Sequence, residues 1–256
     1  MKVVIAAGGF GTRLAEETEI RPKPMVEIGG HPILWHILKH FSHYGHRSFV
    51  IAGGYKVEYI KRWMYEAMQL GGDLAYDFRT ASVNSVRPVR EDWHVVVADT
   101  GLDTDIAGRV GRCKEYVAGE RFLMTYGDGV SDVDLKALVD YHVSHGRIAT
   151  LTAVRPLARF GHLDLNGDEV RAFIEKPQLS EGWVNGGFMV FEPEIFDYIT
   201  SDESDFGVDV LPGLAADRQL AAFQHDGFWQ CMDTMRDKLF LQDLWARDEA
   251  PWKTWQ

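Results

Sequence analysis

Five short stretches of consecutive apolar residues recur along the first 155 residues, each followed by glycine or polar residues. Continuous apolar runs of this length are typical of strands covered on both faces, as in parallel sheets. The stretches are Val3–Ala7, Ser48–Ala52, Trp93–Thr100, Phe122–Tyr126 and Ile148–Val154. Amphipathic helical patterns lie between them, at Ile33–Tyr44, Val57–Leu70, a segment ending at Val117, and Leu135–His145. This alternation predicts an α/β fold with a largely parallel sheet and right-handed crossovers.

Beyond residue 155 the pattern changes. His162–Leu165 and Val170–Glu175 alternate apolar and polar residues around an Asn-Gly-Asp turn, which predicts a β-hairpin. Trp183–Phe191 predicts a further strand. Helical segments follow from Glu192, over Asp209–Ala216 and from Met235, with a strand at Leu220–Gln224. Residues 73–92 carry no interpretable pattern.

Three tryptophans lie in the C-terminal segment Lys238–Gln256, at positions 245, 252 and 255. Large aromatic side chains stabilise contacts by burying area, so this segment is expected to dock on the protein or on another subunit rather than to hang free. We therefore expect a homo-oligomer.

Composition narrows the class of protein. With 256 residues, 46% hydrophobic and 25% charged, the chain is an ordinary globular protein that can bury a sizeable core. A net charge of −11 argues against nucleic acid or an anionic membrane as partner, since both require a basic surface. Cys113 and Cys231 are too far apart in sequence to suggest a disulfide framework, and no apolar stretch approaches the roughly 18 residues of a membrane span. We expect a cytoplasmic protein without a membrane partner.

The first strand leads into a glycine-rich loop. Gly8, Gly9 and Gly11 allow the backbone to direct several N–H groups at one ligand, and Arg13 follows as a cationic fork. Such donors at the carboxyl end of a buried strand predict a phosphate site. A Walker loop is excluded because Arg13 and Leu14 stand where glycine and lysine are needed, and a dinucleotide fingerprint lacks its third glycine. A plain strand-to-helix turn would not call for Arg13.

Two further residues join this candidate site. Lys23 lies between Pro22 and Pro24, which hold the backbone extended and present the side chain stiffly. Asp128 follows a strand and is flanked by two glycines, where α/β sheets place their ligands. A metal or ligand role is favoured for it over helix capping, because Asp132 or Asp134 is better placed to cap the next helix.

Other polar residues leave alternatives open. Asp233 precedes a predicted helix start and is either its N-cap or a ligand. Asn185 lies beside two glycines, where its amide suits sugar hydroxyls. Arg109 and Arg112 could pair with a ligand or a partner subunit, but a solvated helix face is the favoured interpretation.

Several segments together resemble the sugar-1-phosphate nucleotidylyltransferase family and, within it, the bacterial glucose-1-phosphate cytidylyltransferases. They are Gly8–Leu14, Arg21–Gly30, Tyr126–Gly129, Phe160–Asp164, Glu175–Pro177, Asn185–Phe188, Gly227–Asp237 and Ala250–Trp255. Two departures lie on the sugar side: Asp205–Pro212 differs from the element usual in that branch, and Cys231 replaces its proline.

The resemblance implies a Rossmann-like three-layer mixed sheet of the glycosyltransferase-A type, with a small β-rich subregion and C-terminal helices. Residues 1–256 would form one nucleotidyltransferase domain, with 1–155 mainly nucleotide-binding and 156–256 mainly binding the sugar phosphate and carrying oligomer contacts. The implied reaction joins CTP and a sugar 1-phosphate and releases pyrophosphate. By resemblance to the cytidylyltransferase branch, this sugar 1-phosphate would be glucose 1-phosphate. The alternatives are the same reaction with UTP, dTTP or GTP in place of CTP, a non-catalytic nucleotide-sugar sensor, or a nicotinamide dehydrogenase.

The resemblance also implies residue roles. Arg13, Lys23, Asp128 and Asp233 would be catalytic, the two aspartates holding Mg²⁺. Nucleotide contacts would come from Ala6, Ala7, Gly8, Gly9, Gly11, Thr12, Arg13, Lys23, Tyr126 and Gly127. The sugar phosphate would be bound by Glu175, Lys176, Asn185 and Gly186.

Overall fold

The computed structural model describes residues 1–88, 91–117, 119–156, 162–166, 169–174 and 182–255. Its strands are β1 (Lys2–Ala7), β2 (Glu27–Ile28), β3 (His31–Pro32), β4 (Ser48–Gly53), β5 (Asp73–Asp77), β6 (Ser82–Arg87), β7 (His94–Asp99), β8 (Phe122–Tyr126), β9 (Gly129–Ser131), β10 (Ala149–Val154), β11 (His162–Asn166), β12 (Glu169–Ile174), β13 (Val184–Asn185), β14 (Met189–Phe191), β15 (Leu220–His225) and β16 (Trp229–Cys231). The α-helices are α1 (Ala15–Thr18), α2 (Ile33–His43), α3 (Val57–Leu70), α4 (Ile106–Arg112), α5 (Lys114–Val117), α6 (Leu135–His145), α7 (Leu211–Ala216) and α8 (Met235–Ala246).

The central sheet is mixed. β8, β1, β4 and β7 are parallel neighbours in that order. β14 is inserted antiparallel between β8 and β10, and β10 pairs in parallel with β15. The five strands expected from continuous apolar runs are all present, so the predicted α/β class and mixed sheet are confirmed.

Side chains of the central strand alternate between two cores. Val3 and Ile5 pack with residues of α2, α6 and α8, whereas Val4 packs on the other face with residues of α4 and α7. Successive side chains of a strand point to opposite faces, so an unbroken apolar run supplies both cores. The expected three layers follow from this.

Two sequence expectations need correction, and one segment without a prediction gains a structure. Trp183–Phe191 is not one strand: β13 and β14 are separated at Gly186–Phe188, where Gly187 has a φ of +76°. The segment from Glu192 forms only a 3₁₀-helix at Pro193–Asp197, and a π-helix at Phe206–Val210 precedes α7. Residues 73–87, which gave no pattern, form the β5–β6 hairpin.

The C-terminal segment docks on its own chain. Trp252 is 1% exposed, donates its indole N–H to His36 Nδ1 at 3.3 Å and stacks on Phe228. Docking is therefore confirmed for this tryptophan, while the expected oligomer contact stays a prediction. No helix among the described residues is long and apolar enough to cross a membrane.

Candidate active site

The glycine loop leaves β1 at the carboxyl edge of the sheet. Gly11 has a φ of +63°, a conformation that glycine adopts without strain, and a 3₁₀-helix over Thr12–Leu14 starts directly after it. Thr18 Oγ1 donates to the Gly11 carbonyl at 3.1 Å, which closes the loop on α1. The Arg13 side chain remains 68% exposed.

Lys23 begins a second 3₁₀-helix, at Lys23–Met25, and is buried. The extended backbone at Pro22 and the ring of Pro24 fix the direction of the lysine. Its ammonium donates to Asp128 Oδ2 at 2.7 Å and also to Asp233 Oδ1. One lysine thus joins two carboxylates that are far apart in sequence.

A short antiparallel ladder brings these carboxylates together. β9 pairs with β16, with Gly129 opposite Cys231, so Asp128 immediately precedes one strand and Asp233 lies just after the other. The amide of Met232 donates to the Asp128 carbonyl at 2.8 Å, which continues the ladder. Sequence reasoning placed Asp233 as a ligand or an N-cap; Thr234 is the N-cap of α8, which leaves the Asp233 carboxylate for the cluster.

Charge favours the ionised forms of Lys23 and Asp233. Burial by itself lowers the pKa of Lys23, but the charges and hydrogen bonds of Asp128 and Asp233 outweigh burial and raise this pKa above its usual value. For Asp233, burial acts to raise the pKa, and the hydrogen bond and charge of Lys23 with the charge of Arg13 lower it overall. Arg13 Nη1 lies 2.8 Å from Asp233 Oδ2.

A cleft of about 500 Å³ is lined by three members of this cluster, Arg13, Lys23 and Asp128. Its lining comes from three places: the β1 end and glycine loop, the ends of β8 and the Lys23 helix, and the β7–α4 connection. The lining includes all ten residues predicted to contact a nucleotide: Ala6, Ala7, Gly8, Gly9, Gly11, Thr12, Arg13, Lys23, Tyr126 and Gly127.

Arg109 is part of this cleft, and the interpretation of a solvated helix face is wrong for it. The side chain is 3% exposed and donates to Thr100 Oγ1 at 2.9 Å and to the carbonyls of Gly101 and Leu102 at 2.5 and 3.0 Å. A Cβ atom on Gly8 would overlap its guanidinium. The signal in the sequence that could have indicated this role is that Arg109 closely follows the β7–α4 connection, which lies at the carboxyl edge of the sheet. Arg112, in contrast, is exposed and pairs with Asp202.

The predicted sugar side is described only in part. Asn185 donates to the Tyr126 hydroxyl at 3.3 Å and accepts from the amide of Gly187 at 3.0 Å, next to the cleft. The Gly186 carbonyl accepts a hydrogen bond from the Trp229 indole at 2.7 Å. Burial raises the pKa of Tyr126 to about 12, so its hydroxyl stays protonated at neutral pH. Glu175 and Lys176 lie outside the described residues.

The donor set suits a hard divalent cation. Asp128 and Asp233 direct oxygens at one positive charge, the Lys23 ammonium. Within the described part of the chain no three His, Cys, Asp or Glu residues converge, so the protein offers two carboxylates there and no closed cage. Mg²⁺ is commonly bound in this way, by one or two carboxylates with water and substrate phosphates completing the shell.

The chain has three layers, with helices on both faces of the sheet, and its cleft lies at the carboxyl ends of parallel strands. It therefore belongs to the class of open α/β proteins that bind ligands at that edge. Residues 2–239 match the model of the nucleotidyl transferase family, and the chain belongs to that family.

Full-length relatives lie within the same family. The chain is 47% identical to glucose-1-phosphate cytidylyltransferase of Salmonella typhimurium and 39% identical to a probable glucose-1-phosphate cytidylyltransferase of Bacillus subtilis, each over 100% of both chains. Among solved structures, a putative glucose-1-phosphate thymidylyltransferase of Bacillus anthracis in complex with sucrose matches with a TM-score of 0.68 at 19% identity, over 97% of this chain and 96% of that one. The structural match supports the fold.

Proposed function

We propose that the chain transfers a cytidylyl group from CTP to α-D-glucose 1-phosphate, giving CDP-glucose and pyrophosphate. The observation that carries this is that Arg13, Lys23 and Asp128 line the glycine-loop cleft, while Asp233 pairs with both Arg13 and Lys23. The choice of CTP and glucose 1-phosphate is supported by the names of the two full-length relatives.

The reaction needs no nucleophilic side chain. An oxygen of the sugar phosphate is already ionised and attacks the α-phosphorus of CTP; a new P–O bond forms, and the bond to the β-phosphate breaks with its electron pair leaving on pyrophosphate. Two anions must approach each other, and unit charges about 4 Å apart repel by roughly 4 kcal/mol at an effective dielectric constant near 20. Catalysis is therefore positioning plus cancellation of charge.

Cationic residues and backbone donors share that task. The loop N–H groups and Arg13 hold the β- and γ-phosphates and the departing pyrophosphate. Lys23 donates to the α-phosphate as negative charge builds there, and Lys176 holds the sugar phosphate. The partly buried position of Lys23 strengthens its effect, because charges interact more strongly away from water.

Asp128 and Asp233 would hold Mg²⁺. When bound, the cation supplies positive charge that offsets the phosphates of both substrates. The two carboxylates already converge on a single cation, the Lys23 ammonium, and this supports the assignment.

The base is proposed to lie at the end of the cleft formed by the β7–α4 connection. Backbone groups of Ala6–Gly8 and the Tyr126–Gly127 turn border the same space. Arg109 adds a buried positive charge, and its guanidinium already fixes the carbonyls of the connection. Recognition through a fixed backbone can discriminate bases by their hydrogen-bonding edges. Glu175, Asn185 and Gly186 are proposed to bind the sugar hydroxyls.

A substrate screen tests this proposal. Purified protein with Mg²⁺ is incubated with CTP, UTP, dTTP or GTP, each against several sugar 1-phosphates, and pyrophosphate release is measured. We expect the highest kcat/KM for CTP with glucose 1-phosphate. A higher value for another pair reassigns the substrates, and no release with any pair would favour a non-catalytic nucleotide-sugar sensor.

A further inference from the structure

The connection between β4 and α3 contains a strained residue. Lys56, the N-cap of α3, has a φ of 52° and a ψ of 38°, and its side chain makes no capping hydrogen bond to the helix. This left-handed conformation costs free energy in a residue with a Cβ, and glycine adopts it much more easily. Such strain persists where surrounding contacts hold it in place, and it is often found beside functional sites. The contacts of Lys56 and its neighbour Tyr55 show what holds it.

Both residues contact the end of helix α1. The Tyr55 hydroxyl donates to the Thr18 carbonyl at 3.1 Å. The Lys56 ammonium donates to the carbonyls of Thr18, at 3.4 Å, and of Glu19. The last carbonyls of a helix have no partner inside it and carry partial negative charge, so a hydroxyl and an ammonium are suitable donors for them. Because α1 has only four residues, it depends on such outside contacts.

Tyr55 also contacts the glycine loop directly. Its backbone N–H donates to the Gly8 carbonyl at 3.1 Å, and its ring packs against Phe10 with the ring centroids 5.3 Å apart. At the far end of the loop, Thr18 donates to the Gly11 carbonyl. The β4–α3 connection therefore contacts the loop at its start and in its middle, and it contacts the helix on which the loop closes.

We propose that Tyr55 and Lys56 form a clamp that holds the glycine loop in the conformation that binds a triphosphate. This inference rests on the function proposed above, in which the loop N–H groups bind the β- and γ-phosphates. Neither residue is among the described residues that line the cleft, so both act through the loop as positioning residues. A loop that occupies its binding conformation for a tenth of the time binds its ligand about tenfold more weakly. Loss of the clamp therefore lowers affinity without removing a contact to the ligand.

Phosphate affinity tests the clamp. Inorganic tripolyphosphate is the probe, because it reports on the phosphate contacts whichever base the protein prefers, and its dissociation constant is measured by isothermal titration calorimetry. Lys56→Gly is expected to weaken binding about tenfold. Its thermal unfolding midpoint should stay close to that of wild type, since relief of the backbone strain offsets the lost hydrogen bonds. Lys56→Arg keeps a donor and the positive charge, and should bind nearly as tightly as wild type.

Arg218→Gly is the matched control. Arg218 also has a positive φ, of 57°, and carries the same charge. It lies between α7 and β15, at the amino edge of the sheet, opposite the edge that carries the cleft. The substitution should leave tripolyphosphate affinity unchanged. A loss of affinity in this control as large as that of Lys56→Gly would show that net charge sets the affinity, and would overturn the proposal.

Limited trypsin digestion tests the loop without any ligand. The Arg13 side chain, directly after the loop, is 68% exposed, so cleavage that releases residues 1–13 reports how often the loop opens. The rate should rise about tenfold in Lys56→Gly, because cleavage follows the population of the open form. Tyr55→Phe, which loses only the hydroxyl bond to Thr18, should show a smaller rise.

The two measurements decide the clamp together. An unchanged cleavage rate in both variants, or faster cleavage with unchanged tripolyphosphate affinity, overturns the proposal. A substrate screen without any pyrophosphate release would count against nucleotidyl transfer, whereas tripolyphosphate affinity and digestion would still decide whether Tyr55 and Lys56 hold the loop.

Discussion

Two opposing influences act on the charge of Lys23. The proposed phosphate contact requires a positive charge, yet the residue is buried, which disfavours a positive charge. Asp128 and Asp233 resolve the conflict, because their charges raise the lysine pKa above its usual value. The three residues form one ionic unit, and removing any one of them leaves the others inadequately paired.

The pH dependence of stability follows from these shifts. The Lys23 pKa is raised on folding, so its contribution is fully present below the unfolded value of about 10.4 and is lost as pH rises through the folded value. The Asp233 pKa is lowered, so its contribution is present above an unfolded value of about 3.9 and is lost as pH falls through the folded value.

Lys23→Met is therefore expected to reduce the free energy of unfolding by about 3 kcal/mol near neutral pH, with the difference shrinking at both pH extremes. Urea unfolding across the pH range measures this. Lys136→Met, which removes an exposed pair with Asp140, serves as control and should leave the free energy of unfolding nearly unchanged. A Lys23 difference that stays constant with pH would show that packing, not charge, is responsible.

The two aspartates should matter for turnover more than for folding. Asp128→Asn and Asp233→Asn are each expected to lower kcat by on the order of 10²-fold or more with Mg²⁺ present, because each removes a charge from the proposed cation site. Pyrophosphate release measures kcat, and circular dichroism checks the fold. Asp134→Asn, at the N-cap of α6, is the control and should retain near-normal turnover. Near-normal kcat in either site variant would disprove the metal assignment.

At the scale of elements, the interior strands could be predicted and the ladder that builds the site could not. β1, β4 and β8 are continuous apolar runs, and burial on both faces leaves that mark in the sequence. β9 and β16 have three residues each, too few to show a period. The sequence shows little of which strands pair with each other. From sequence alone, Asp128 and Asp233 therefore each had helix capping as an alternative role, whereas the ladder places both beside Lys23.

Two neighbouring glycines of the loop have different structural roles, which substitution by alanine should separate. A Cβ on Gly8 would overlap the Arg109 guanidinium, whereas a Cβ on Gly9 would meet nothing within 4 Å. Gly8→Ala is expected to lower the free energy of unfolding by about 1–3 kcal/mol through overpacking, and Gly9→Ala by about 1 kcal/mol at most. Thermal and urea unfolding give the comparison. Equal losses in both variants would mean that Arg109 moves aside at little cost.

At the scale of the whole molecule, the two predicted halves are interleaved. The residues that line the cleft all lie between Ala6 and Asp128, within the first of these halves. Asp233, however, comes from the second half and contacts Arg13 and Lys23 of the first. The division at residue 155 remains a proposal about which part of the chain binds which substrate. It does not describe two separable folding units, since β14 and β15 of the second half complete the same sheet.

The docked C-terminal segment should be a large contributor to overall stability. Trp252→Ala is expected to lower the free energy of unfolding by about 3–5 kcal/mol, because the indole is fully enclosed and its removal leaves a cavity beside His36 and Phe228. Leu239→Ala, an exposed apolar residue of α8, is the control and should change it by about 0.5 kcal/mol or less. A small loss at Trp252 would indicate that the segment is only loosely attached.

The β9–β16 ladder has a consequence for synthesis of the protein on the ribosome. The glycine loop, Lys23 and Asp128 leave the exit tunnel long before Asp233, which lies 105 residues after Asp128. Until residues 229–231 emerge and pair with β9, Lys23 meets only one of its two carboxylates, and the proposed cation site is unfinished. Completion of that proposed site is therefore a late event in synthesis of the chain.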